Sequence, residues 1–127
     1  MAFKLKQIPD VTLEVPIDVP GDYGKTSRHS IKVRYRLRSV AEQRAVFEAP
    51  AEQRPSDDEL MAADVLGITD IKDADGEPLP FNEDLLEQLM DIAYVRAALV
   101  QGWLKAQAGA PASAEKNSAR LGSTLRA

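Results

Sequence analysis

Apolar side chains recur at α-helical spacing through residues 83–107, and this segment constrains the fold more than any other part of the chain. Asn82 offers a side-chain oxygen to the first N–H groups of a helix, so the helix is predicted to begin at Glu83. Rotation by about 100° per residue gives one broad apolar face. That face consists of Leu85, Leu86, Leu89, Met90, Ala93, Ala97, Val100, Trp103 and Leu104. So wide a face must be covered, either by the rest of this small chain or by a partner.

Two residues do not fit a single straight helix, because Arg96 falls inside the apolar face and Tyr94 falls outside it. A break near Ala93 would rotate the second half about its axis. That half would then present a different face, formed by Tyr94, Val95, Ala98, Leu99, Gly102 and Trp103. The pattern therefore predicts a helix over 83–107 with a kink or a short break.

Two segments near the N-terminus alternate apolar and polar residues, which is the period of a half-buried β-strand. The first covers 11–19 and the second covers 31–37, and a polar loop reaching to about His29 separates them. Together they predict a hairpin with a long tip. Pro16 has no N–H to donate to a ladder, so the first strand is expected at an edge of the sheet or with a bulge.

The polar side of the second predicted strand is a row of cations formed by Lys32, Arg34, Arg36 and Arg38. Glu14 and Asp18 on the first strand can face some of these cations across the hairpin. The row has two interpretations: a solvated face that discourages edge-to-edge aggregation, or a phosphate-binding surface. No aromatic side chain on this face interleaves with the cations to stack bases, which favours the solvated face.

A capping box, with the spacing S-x-x-E, opens the next predicted helix at Ser39. The apolar residues that follow suit a short helix over 40–48, which ends before Pro50. Phe47 is its expected anchor in the core.

The same spacing recurs at Ser56 and predicts a helix over 57–66, which Gly67 is expected to end. Ile68 and Ile71 then indicate a third short extended piece. The predicted fold class is therefore α+β, with a two- or three-stranded antiparallel sheet packed by about three helices, the last of them long and kinked. A purely helical architecture is the alternative.

The 127 residues, 44% of them hydrophobic, suit one small domain, expected over 1–108. Residues 109–127 are rich in Gly, Ala, Pro and Ser and are expected to form a flexible tail. No apolar run approaches the roughly 20 residues that cross a bilayer, so the sequence predicts no contact with a membrane.

The side-chain inventory argues against catalysis and against a resident cofactor or metal. The chain contains no cysteine, which excludes thiolate chemistry, and its one histidine, His29, lies in the predicted hairpin loop. The acidic turn at Asp73 invites comparison with a calcium loop, but Ile71 and Asn82 then occupy positions that need carboxylates. The sequence thus predicts a turn there, no metal site and no enzyme.

Four stretches resemble the tail assembly chaperones of long-tailed bacteriophages and prophages. They are FKLKQIPDVTLEVPIDVPG, IKVRYRLRSVAE, DADGEPLPFNEDLLEQLMD and YVRAALVQGWLKA, and the similarity runs over about residues 1–108. None is a catalytic signature. Many relatives have a proline where this chain has Ala93, which agrees with a break at that point.

The resemblance implies a binding protein of the bacterial cytoplasm that coats the tape measure protein, a long helical hydrophobic polymer. The tape measure protein would stay soluble while tail tube protein is recruited around it, and the chaperone would self-associate. The residues expected to bind partners are Leu85, Leu89, Tyr94, Leu99, Trp103, Arg34 and Arg36. The alternatives are a nucleic-acid-binding accessory protein that uses the basic strand 32–38 and, more remotely, a small enzyme.

Overall fold

A computed structural model describes residues 8–109 as an α+β fold. Its strands and helices, in chain order, are β1 Asp10–Pro20, β2 Thr26–Arg36, α1 Val40–Phe47, α2 Asp57–Asp64, β3 Val65–Thr69, α3 Glu83–Met90 and α4 Ala93–Gln107. The predicted fold class is confirmed. Most of the predicted tail lies outside the described residues.

The three strands form one antiparallel sheet in the order β1-β2-β3. Pro16 therefore lies in an edge strand, as predicted, and its register with Ser30 is regular. The expected long hairpin tip is wrong, because His29 pairs with Ile17 inside the ladder. The turn is short since Tyr23 and Gly24 both adopt positive φ, at 59° and 73°, which reverses the chain within a few residues.

The predicted end of the second helix is also wrong. Helix α2 ends at Asp64, and β3 begins at the next residue, with Gly67 inside the strand. Val65 and Ile68 are buried in the core, where pairing with β2 overrides the helical pattern. Ile71 follows the strand rather than extending it.

Both predicted capping boxes are present, at Ser39 and at Ser56. The predicted anchor of α1 is wrong, because Phe47 is 50% exposed while its neighbour Val46 is buried. The ring of Phe47 still lies 5.9 Å from that of Trp103, at the margin of the core.

The break in the last predicted helix is confirmed. Asn82 caps α3 by accepting a 2.8 Å hydrogen bond from the backbone N–H of Leu85. Helix α3 ends at Met90, and α4 begins at Ala93 after Ile92 adopts extended φ and ψ of −99° and 113°.

Helix α4 packs across β1 and β2 and closes the core. Its inward face comprises Val95, Leu99, Gly102, Trp103 and Ala106. Four of these residues, Val95, Leu99, Gly102 and Trp103, belong to the face that was predicted for a helix broken near Ala93. Of that predicted face, only Tyr94 is exposed. Within residues 8–109, none of the helices combines the length and hydropathy needed to cross a bilayer.

Candidate functional site: the outer surface of helix α4

A buried carboxylate fixes the rotation of α4 about its axis. Asp64, at the end of α2, is 0% exposed. Its Oδ2 accepts hydrogen bonds from Nε1 of Trp103 at 2.7 Å and from Nε of Arg38 at 2.6 Å. Its Oδ1 accepts from Nη2 of Arg38 and from Nε of Arg36, both at 3.1 Å. These bonds compensate the cost of burying the charge, and they join α2, α4 and the end of β2.

A close approach between α4 and the sheet fixes the same orientation. The hydroxyl of Tyr35 on β2 is buried and donates a 2.8 Å hydrogen bond to the carbonyl oxygen of Leu99. Burial raises the pKa of this phenol above its ordinary value of 10.0. Gly102 lies against Tyr35 and Val15, and a Cβ at this position would lie 2.9 Å from Cγ2 of Val15. Only glycine allows the helix to sit this close.

With its inner face fixed in this way, α4 turns a second apolar face outward. Between residues 92 and 108, all of which the structure describes, the most exposed side chains are uncharged, and the two cations, Arg96 and Lys105, are half-buried. The uncharged exposed residues are Ile92, Ala93, Tyr94, Ala97, Gln101, Leu104 and Ala108, and together they are called the outer face here. A surface helix normally exposes charged residues. The outer face, which has few charges for a surface helix, is therefore a candidate surface for a partner.

A groove borders the outer face. It is an open depression of about 750 Å³ between α4 and the edge strand β1. Its lining combines apolar and charged side chains. Leu13 and Pro16 on the strand and Tyr94, Ala97 and Ala98 on the helix are apolar, and the charged members are Glu14, Asp18, Arg28 and Lys105. The edge of β1 is a poor template for another strand, because Pro16 cannot donate a hydrogen bond to it. A helix laid beside α4 is the better match to a groove of this kind.

The residues expected to bind partners are distributed over different environments. Leu99 and Trp103 are buried in the core at 0% and 1% exposure, and Leu85 is buried in α3 at 7%. Leu89 is half-buried, and Tyr94 is 38% exposed at the groove. The structure therefore brings only Tyr94 of these apolar residues to the outer face.

Every cation of the predicted basic row has a carboxylate partner. Arg34 pairs with Asp10, and Nζ of Lys32 lies 3.6 Å from Oδ2 of Asp70. Arg36 pairs with both Glu42 and Asp64, and Arg38 pairs with Asp64. This pairing reduces the positive potential that a phosphate backbone would meet.

Two exposed carboxylates, Glu42 and Asp18, have a lowered pKa. The backbone N–H of Ser39 and the guanidinium of Arg36 lower the pKa of Glu42 below its ordinary value. A side-chain hydrogen bond from Arg28 likewise lowers the pKa of Asp18. Across the hairpin, Nε of Arg28 lies 2.9 Å from Oδ1 of Asp18, which agrees with the predicted facing of opposite charges.

The acidic turn at Asp73 is confirmed as a turn. Oδ1 of Asp73 accepts hydrogen bonds from the backbone N–H groups of Asp75 and Glu77, at 2.9 and 3.0 Å. Across residues 8–109, no group of three or more His, Asp or Glu side chains could hold a metal ion.

Sequence reasoning missed two features of the site. It assigned no role to Asp64, although the buried residues of α2 are Leu60, Met61 and Asp64, a helical spacing that places the carboxylate on the apolar side. It also left open whether the face that contains Ala97 and Leu104 packs in the core or meets a partner, and the structure shows both residues exposed. The apolar residues of both the inner and the outer face of α4 occur in the same helical segment, so the sequence pattern could not show which face meets the sheet.

No protein-family model, no curated protein and no solved structure matches this chain. An inference about function therefore depends on the chain's own residues and their geometry.

Proposed function

We propose that this chain is a tail assembly chaperone of a long-tailed bacteriophage or prophage, which acts in the cytoplasm of the bacterial host. It binds the tape measure protein, keeps it soluble and helps to recruit tail tube protein. The activity is binding rather than catalysis. The observation that carries the proposal is the uncharged outer face of α4 beside the groove.

The partner's chemistry follows from this surface. A long helix rich in apolar side chains is insoluble unless its apolar stripe is covered. The outer face offers apolar contacts from Ile92, Tyr94 and Leu104, with the small residues Ala93 and Ala97 between them. Small residues let a second helix approach closely, while the larger ones supply the buried area that stabilises a helix in a groove.

The test is co-expression of this chain with a segment of the tape measure protein encoded beside it. We expect the segment to be soluble with the unsubstituted chain and to precipitate when Ala97→Glu places a charge in the outer face. Ala45→Glu is the matched control, because Ala45 is an exposed alanine of α1 away from this surface. Equal solubility with all three chains, or precipitation with all three, would contradict the proposal.

Self-association is the second expectation from the resemblance. Sedimentation of the full chain at rising concentration measures it directly, and Ala97→Glu and Ala45→Glu serve again as test and control. A species that is lost only in the Ala97→Glu chain would place the contact on the outer face.

A further inference from the structure

The joint between α3 and α4 is a single residue. Asp91 keeps helical φ and ψ of −82° and −9°, and Ile92 alone departs from them, at −99° and 113°. A rotation of about 150° in ψ at Ile92 would bring this residue to helical geometry. The two helices would then become one helix over 83–107, about 37 Å long.

The apolar residues of the two helices are in phase for that single helix. At about 100° per residue, Leu86 and Leu89 of α3 fall within the same arc of about 80° as Ala93, Ala97, Val100 and Leu104 of α4. The inward face of α4 is centred roughly 130° away around the helix axis, although Trp103 at its edge lies only about 40° from Leu89. Helix α4 can therefore remain on the sheet while α3 swings outward and extends the outer face.

In the observed form, α3 is folded back and its apolar side is covered. It packs chiefly against α2 and α4, and it buries Leu85, Leu86 and Met90. Arg96 holds this arrangement from α4. Its guanidinium donates to the carbonyl oxygen of Met90 at 3.2 Å, and to both carboxylate oxygens of Asp58 on α2, at 2.8 and 3.2 Å.

The hydrogen bond from Arg96 to the carbonyl oxygen of Met90 replaces a backbone hydrogen bond that a continuous helix would make. In a continuous helix, the carbonyl of Met90 would accept from the backbone N–H of Tyr94, four residues ahead. In the folded-back form Arg96 satisfies that carbonyl and links the end of α3 to the start of α2. The same side chain thus compensates the break and secures α3.

We propose that the α3–α4 joint is a switch that regulates the outer face. In the folded-back form the face is limited to α4. In the straight form, Leu86 and Leu89 extend it into one apolar stripe along 83–107, which covers a longer stretch of the partner helix. The inference rests on the proposed function, since the tape measure protein is the helix that would stabilise the straight form.

Two substitutions shift the switch in opposite directions. Ala93→Pro holds the folded-back form, because proline suits the first position of α4 and confines the preceding Ile92 to the extended geometry that it already has. Arg96→Gln removes the contacts that secure α3. Arg54→Gln is the matched control, because it removes a 2.8 Å hydrogen bond from an exposed guanidinium to the carbonyl oxygen of Ala49, in the connection between α1 and α2 outside the groove.

Distance measurement between two spin labels reads out the switch. The chain has no cysteine, so Asp84→Cys and Gln101→Cys give two unique labelling sites in the full chain. In a straight helix their Cα atoms lie about 26 Å apart, and any bend at Ile92 shortens that distance. We expect a minor long-distance population that rises severalfold in Arg96→Gln, is absent in Ala93→Pro and is unchanged in Arg54→Gln.

A soluble tape measure segment separates this inference from the proposed function. We expect its addition to increase the long-distance population, except in Ala93→Pro. If the segment binds while all variants keep the same short distance, the switch is wrong and the chaperone proposal stands. If Arg96→Gln straightens the helix but the segment does not bind the chain without the labels at Asp84 and Gln101, the switch stands and the proposed function fails.

Discussion

The indole Nε1 of Trp103 donates a 2.7 Å hydrogen bond to Oδ2 of Asp64, and neither side chain is more than 1% exposed. This bond joins the last helix to the end of α2 across 39 positions of sequence. It fixes which side of α4 meets the sheet. The residues on the opposite side of α4 are therefore exposed and form the outer face.

Removal of the carboxylate should therefore be costly. Asp64→Ala leaves the buried indole N–H and the half-buried guanidinium of Arg38 without their acceptor, and we expect it to lower the free energy of unfolding by about 3–5 kcal/mol. Urea denaturation measures the loss. Asp75→Ala, in the exposed turn, is the control and should change stability by less than about 0.5 kcal/mol. Similar values for the two variants would show that the cluster does not stabilise the fold.

Gly102→Ala tests the close approach of α4 to the sheet. The added Cβ would meet the hydroxyl of Tyr35 and Cγ2 of Val15, and both side chains are fixed in the core. We expect a net loss of about 1–3 kcal/mol, even though alanine favours a helix over glycine by about 1 kcal/mol. The control is Gly67→Ala, where a Cβ meets nothing within 4 Å. A stabilising Gly102→Ala, measured by thermal unfolding, would contradict this packing.

Tyr35 should make stability fall at high pH. Burial raises its pKa in the folded state, whereas the unfolded chain ionises near the ordinary value of 10.0. Stability from the neutral phenol is therefore fully present below pH 10 and is lost as pH rises further, because only the unfolded state releases the proton. Tyr35→Phe should cost about 1 kcal/mol at neutral pH, through the lost bond to Leu99, and its deficit should shrink above pH 10.

Urea denaturation of the two chains at pH 8 and pH 11 measures that difference. Tyr23→Phe is the control, because Tyr23 is 98% exposed at the hairpin turn. A deficit for Tyr35→Phe that is the same at both pH values would mean that the phenol is not held neutral by burial.

Substitution of leucine by alanine at positions 99 and 104 distinguishes the inner face of α4 from its outer face. Leu99→Ala removes a fully buried side chain and should cost about 2–5 kcal/mol. Leu104→Ala acts on a side chain that is 42% exposed, and we expect a cost below about 1 kcal/mol. Under the proposed function, Leu104→Ala should instead weaken binding of the tape measure segment. Equal losses of stability would mean that α4 is rotated relative to the described structure.

Local signals predicted much of the architecture. Alternation over 11–19 and 31–37 identified the two long strands, and the spacing at Ser39 and Ser56 identified the starts of α1 and α2. Their boundaries were less predictable. The ladder continues through polar residues of the hairpin because backbone pairing needs no apolar side chain, and α2 gives way to β3 because β2 offers Val65 and Ile68 a place in the core.

The sequence by itself determined that 83–107 is helical, that it is interrupted near Ala93, and that more apolar surface lies on it than one side of a helix can hold. The sequence did not determine which side of α4 is buried, because its apolar residues fit either of two helix faces equally well. Only the tertiary structure decided this. The deciding contacts, from Trp103 to Asp64 and from Leu99 to Tyr35, join residues that are distant in sequence, so no window of neighbouring residues contains them.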